Sequence, residues 1–94
     1  MRYAKEIPLR FHSGDKQIEA IATDLNEHGM FIRTREPFTE TPTLLELQIA
    51  GRVVRAVVEP RYVGPSLLDS GVGVGVEIVQ ISEQDRESWF SVLR

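Results

Sequence analysis

Arginine is the residue in this 94-residue sequence best equipped for recognition chemistry. A guanidinium presents a planar fork of donors that matches a phosphate two bonds at a time. Arg2, Arg10, Arg33, Arg35, Arg52, Arg55 and Arg61 fall near one another along the chain. The formal net charge is nevertheless -3. A general nucleic-acid binder needs a surplus of cations against the phosphate backbone. The balance therefore argues against a DNA-duplex-binding face and leaves room for a local pocket that takes a small phosphorylated ligand.

Other chemistries find little support. There is no cysteine, which removes disulfides, thiolate nucleophiles and cysteine-held zinc. His12 and His28 are the only histidines, both in predicted turns without supporting carboxylates, and are read as surface residues, so no metal site is expected. Gly71-Val72-Gly73-Val74-Gly75 lacks the Lys-Ser/Thr and the helix of a phosphate loop, so the glycines are read as strand curvature or close packing. No serine stands in a nucleophile-elbow context and no carboxylate pair suggests acid–base work. The chain is read as non-enzymatic, without a cofactor.

These residues need elements to hold them. The length suits one domain, 1–94, with 41% hydrophobic and 27% charged residues. No apolar run approaches the roughly 18 residues of a membrane-spanning helix, and Met1 to Glu6 lacks a secretory apolar stretch. A cytoplasmic protein without membrane insertion is expected. Ile7–Phe11 and Gln17–Asp24 read as a hairpin across a polar, glycine-containing turn. Asn26-Glu27-His28-Gly29 reads as a second turn with Gly29 available for positive φ, before a strand at Met30–Thr34. The proline-containing segment 36–42 reads as a loop. Leu44–Ile49 and Val53–Val58 form the cleanest hairpin, turning at Ala50-Gly51. Residues 60–70 read as a loop with a short continuation at Arg61-Tyr62-Val63, and 71–79 as the last strand. Ser82 suits a helix N-cap with Asp85 three residues on, and Trp89, Phe90 and Leu93 fall on one helical side. The expected fold is all-β, a six-stranded antiparallel barrel (9–79) with a short C-terminal α-helix (82–94) laid over it and an N-terminal arm (1–8).

The order of the motifs resembles the PilZ domain family over essentially the whole chain. Asp24-Leu25-Asn26-Glu27-His28-Gly29 is similar to the family's aspartate, serine or asparagine, glycine signature. Arg2-Tyr3-Ala4-Lys5-Glu6-Ile7-Pro8 stands where the family has R-x-x-x-R. Gly73-Val74-Gly75-Val76-Glu77-Ile78 is similar to its late glycine–hydrophobic–glycine strand, and Ile81 to Arg86 to the start of its last helix. The resemblance implies a PilZ-type barrel that receives cyclic di-GMP, with Arg2, Asp24, Asn26 and Gly29 as ligand contacts. It also implies a protein partner in motility, pilus, secretion or polysaccharide machinery.

One position departs from the pattern. Glu6 occupies the place of the second arginine. A like charge beside a dianion costs on the order of several kcal/mol, and a lost bidentate guanine contact roughly 1–3 kcal/mol more. A micromolar complex has only about 8 kcal/mol in total. Weakened or absent nucleotide binding is expected, with Lys5 and Arg10 as candidate substitute cations. The alternatives are a competent receptor despite Glu6, and a small barrel that stacks single-stranded nucleic acid on Phe31 and Tyr62. For the Asp24–Gly29 segment, a plain Asx-type turn is the bland alternative, and for the arginines, solvated faces paired with Glu36, Glu46 or Glu59.

Overall fold

The structure, a computed structural model, describes residues 5–36, 38, 41–65 and 72–94. Six strands precede one helix: β1 (Ile7–Ser13), β2 (Lys16–Asn26), β3 (Gly29–Arg33), β4 (Thr43–Ile49), β5 (Arg52–Pro65), β6 (Val72–Ile81) and α1 (Glu83–Val92). The strands close into an antiparallel barrel in the order β1-β2-β3-β6-β5-β4, as expected. Closure leaves no sheet edge to template aggregation.

Period-two patterning selects the inner face. Ile7, Leu9 and Phe11 of β1, and Leu45, Leu47 and Ile49 of β4, point inward while their neighbours face out. With Val54, Ala56, Val58, Val74 and Val76 they form one continuous core. Phe38 seals its edge, its ring centred 4.6 Å from that of Phe11. The β1–β2 turn is tighter than the sequence suggests, with only Gly14 and Asp15 outside the strands. At the β4–β5 turn Ala50 (φ 51°) and Gly51 (φ 76°) both take left-handed backbone. Positive φ at both central residues marks a primed two-residue hairpin, whose twist matches its strands.

Two expectations need correction. Residues 60–65 are not loop: β5 runs on to Pro65. Pro60 is tolerated because the ladder shifts register there, Pro60 facing Val76 and Tyr62 facing Gly75. One residue of β5 is therefore extra, the kind of bulge at which a strand can do without a proline N–H. Phe90, expected on the covered side of the helix, is 36% exposed, whereas Trp89 and Leu93 are buried. A single-residue step turns a helix by about 100°, so Phe90 leaves the face that its neighbour occupies.

The helix is tied down from both ends. Ser82 Oγ accepts from Asp85 N at 3.1 Å, the expected N-cap. The reciprocal half of the capping box is not seen; Asp85 Oδ2 instead accepts from Arg55 N of β5 at 3.2 Å. Ladder pairing between β5 and β6 stops at Ala56 and Ile81, so Asp85 serves an amide beyond the ladder's end. Trp89 Nε1 donates to Asn26 O at 3.2 Å.

Outside the barrel, Glu46 lies between two arginines, Arg10 at 2.9 Å and Arg55 at 3.3 Å. The hydrogen bond from Arg10 leads the causes that hold its carboxyl below the ordinary glutamate value of 4.5. A depressed carboxylate stabilises the fold above its unfolded pKa and loses that contribution as pH falls through the folded value. Both arginines are well exposed, so about 1 kcal/mol or less is at stake. Glu46→Gln is expected to unfold at lower urea than the parent at pH 7. The difference should shrink once the pH drops below 4.5, as paired urea titrations across that range would show.

Candidate functional site

The motif that begins at Asp24 sits on a break in the β2–β3 ladder. Thr23 faces Phe31 and Asn26 faces Gly29, so three steps on β2 are matched by two on β3. The extra residue lets Asp24 adopt φ 53° while only 5% exposed. Aspartate tolerates the left-handed region better than most residues, and a bulge re-aims the side chain it carries. Asn26 Oδ1 then accepts from His28 N at 2.7 Å and from Gly29 N at 3.0 Å. This is an Asx-type turn, which commits the asparagine oxygen to the backbone.

Gly29 has a different reason from the expected one. Its φ is not positive; a Cβ there would lie 2.0 Å from Val76 O of β6. The glycine is required by the close approach of two strands, not by the turn.

The opposite wall is built by the bulge in β5. Arg61 and Tyr62 both face outward, and the Tyr62 ring lies over Gly75, where a Cβ would be 2.1 Å from its Cε1. Tyr62 stacks on Phe31 with ring centroids 6.0 Å apart and planes 29° apart. Phe31 is 1% exposed and Tyr62 46%, so the stack is a supported platform with one open side. Arg61 is held by Glu77, with Nε at 2.9 Å and Nη2 at 2.8 Å from Oε2, and by Glu59 at 3.5 Å. Asp24, Asn26, Gly29, Arg61, Tyr62 and Glu77 line a cleft of about 350 Å³.

The fold thus brings Asp24, Asn26 and Gly29 of the expected site together on one cleft. Arg2 lies outside the described residues. Ile7 pairs with Ala22, which carries Lys5 and Glu6 toward the Asp24 end of the barrel. Glu6 Oε2 lies 3.7 Å from Arg33 Nη1. Lys5 Nζ donates to Val92 O and, at 3.5 Å, to Arg94 O. Arg10 is on the outer face of β1 with Glu46 and does not line the cleft. Arg61, Tyr62 and Glu77 are not among the contacts that the family resemblance implies. Arg61 enters the sequence reading only as one of the clustered arginines and Tyr62 only as a stacking aromatic, and Glu77 has no signal of its own. Pro60, whose missing donor hints at a bulge, is the one local sign that β5 continues there. Of the two aromatics considered for base stacking, only Tyr62 is open to solvent. Among the described residues no group of three or more histidines or carboxylates could hold a metal ion.

A family model described as PilZ domain matches residues 1–91. The fold is similar to the crystal structure of the PilZ domain of CeSA from a cellulose-synthesizing bacterium, with a TM-score of 0.65. That likeness covers 98% of this chain and 93% of the other at 16% identity, and shows the fold. No curated protein matches the sequence.

The two glycines of the cleft floor answer to different neighbours, backbone for Gly29 and a movable ring for Gly75. Gly29→Ala is expected to lower stability by about 2–3 kcal/mol, as forced overpacking does. Gly75→Ala should lose less and instead unseat Tyr62. Urea unfolding of both variants, with aromatic NMR shifts of Tyr62, would check this; equal losses of stability would contradict it.

Proposed function

The chain belongs to the PilZ domain family, and we propose that it acts as a non-enzymatic adaptor in cyclic di-GMP signalling whose own hold on the nucleotide is weakened. The family is one of cyclic di-GMP-binding modules, and the barrel and the Asp24–Gly29 turn suit that role. The finer reading is a cytoplasmic protein that regulates motility, pilus, secretion or polysaccharide machinery through contact with a protein partner. No helix among the described residues is long and apolar enough to cross a membrane.

One observation carries the reading. The position that corresponds to the second arginine of the family motif holds Glu6, and its carboxylate is turned to Arg33 at 3.7 Å. A dianionic dinucleotide brought to that end of the barrel meets an anion where a guanidinium fork would match its phosphate or guanine edge. Asp24 can still present the other half of the site, since a carboxylate accepts from the ring N–H and exocyclic amine of guanine, while Asn26 Oδ1 holds the turn that carries it. Half a site binds weakly. A protein partner then supplies the contacts through which the domain works, and the exposed Tyr62, Val63 and Phe90 are available to it.

Calorimetric titration with cyclic di-GMP tests this directly. The parent protein is expected to bind more weakly than micromolar, and Glu6→Arg to bind at least about tenfold more tightly, since a bidentate guanine contact is worth roughly 1–3 kcal/mol. Micromolar or tighter binding by the parent would instead establish a competent receptor.

A further inference from the structure

The strongest cation of the cleft is one that no family motif marks, and it is already engaged. Arg61 reaches the cleft because Pro60 cannot donate to the ladder and the strand bulges there, pushing out one extra residue. The bulge sets Arg61 beside Tyr62, so a guanidinium and an open aromatic face stand next to each other. The second bulge, at Asp24, closes the same cleft from the other side, with β3 and β6 between. An arginine beside a ring and a carboxylate opposite is an arrangement that can stack a base and clamp an anion at once.

Glu77 prevents it. Two guanidinium nitrogens of Arg61, Nε and Nη2, converge on one oxygen of Glu77 at 2.9 and 2.8 Å, and Nη1 lies 3.5 Å from Glu59. Glu59 and Glu77 face each other across the β5–β6 ladder, where two like charges are unfavourable without a cation between them. The register therefore makes Arg61 the counter-ion of its own strands. A phosphate that approaches Arg61 must displace Glu77 and then remain beside both carboxylates, and like-charge juxtaposition is a strong form of discrimination.

We propose that Arg61 is the anion-contacting cation of this cleft and that Glu77 is the specificity-determining residue that withholds it, so that affinity for cyclic di-GMP is limited at a second place besides Glu6. The inference rests on the nucleotide-site reading given above, and it adds a determinant which that reading does not contain. Arg61 and Glu77 are both about half exposed, so neither substitution below threatens the core.

Calorimetry with cyclic di-GMP on Glu6→Arg, Glu6→Arg/Glu77→Gln and Glu6→Arg/Glu77→Gln/Arg61→Gln separates the possibilities, with thermal melts to confirm that each folds. Removing Glu77 is expected to tighten binding about tenfold over Glu6→Arg, equivalent to about 1.4 kcal/mol. Adding Arg61→Gln should erase that gain. If Glu6→Arg binds and the Glu77 substitution leaves its affinity unchanged, the assignment to Arg61 and Glu77 is overturned while the nucleotide site stands. A gain that survives Arg61→Gln overturns it too, since the effect would then be general electrostatics. If none of the folded variants binds, the nucleotide-site reading fails and this inference fails with it.

Discussion

The approach of β3 to β6 is the constraint on which the site depends. A Cβ at Gly29 would lie 2.0 Å from Val76 O, and one at Gly73 would lie 1.9 Å from Ile32 O. Any side chain at either position would drive the strands apart. Because the same two strands carry Val74, Val76, Met30 and Ile32 into the core, the distance that suits the cleft also sets the packing beneath it. The floor of the cleft is bare backbone at Gly29 and Gly75, flanked on the same two strands by Phe31 and Glu77, and the rest of what projects into it comes from β2 and β5. Both flanks reach it through a bulge, β2 at Asp24 and β5 at Arg61. Regular pleating would have sent alternate residues of these strands to the core and left fewer polar groups facing the same place.

Charge on this barrel is compensated locally. Arg10 and Arg55 share Glu46, Arg33 meets Glu6, and Arg61 meets Glu77 and Glu59. The arginines of these pairs are 40–60% exposed, a setting in which a single ion pair contributes little to stability. Their effect falls on recognition. Arg10, Arg33, Arg55 and Arg61 are already matched to carboxylates, so a phosphate reaches any of these four only in competition with its partner. Counting basic residues near one another along the chain therefore overstates the anion-binding capacity of the face they build.

Where local rules operate without competition, the sequence was legible. The alternation of β1 and β4, the Ala50-Gly51 turn and the Ser82 cap each depend on a few neighbouring residues, and all appear as expected. So does the closed barrel, since six short amphipathic strands have few other ways to cover their edges. What escaped was set by register between strands distant in sequence. Arg61 and Glu77 are 16 residues apart, and nothing in either segment announces their ion pair. The continuation of β5 past Pro60 was hidden for a related reason: proline argues against a strand, and only the facing β6 shows that a bulge absorbs it. Gly29 reads from the sequence as a glycine available for a positive φ in a turn, whereas the carbonyl of Val76 across the sheet is what requires it. Of the expected contacts, Asp24, Asn26 and Gly29 are drawn to one cleft because a single motif holds all three, whereas Arg10 belongs to another face of the barrel.

The end of the barrel that holds the Asp24 turn also fastens α1, and α1 in turn holds Lys5. Trp89 donates to the carbonyl of Asn26, inside the turn itself. Lys5 donates to the carbonyls of Val92 and Arg94, where α1 has no basic residue of its own in its last turn to serve them. Glu6, one residue on, meets Arg33 at the end of β3. Turn and arm root are thus both joined to α1. The Lys5 and Glu6 contacts are exposed and modest in energy, whereas the bond to the turn is made by a buried ring, so the arm root can be displaced without unseating α1.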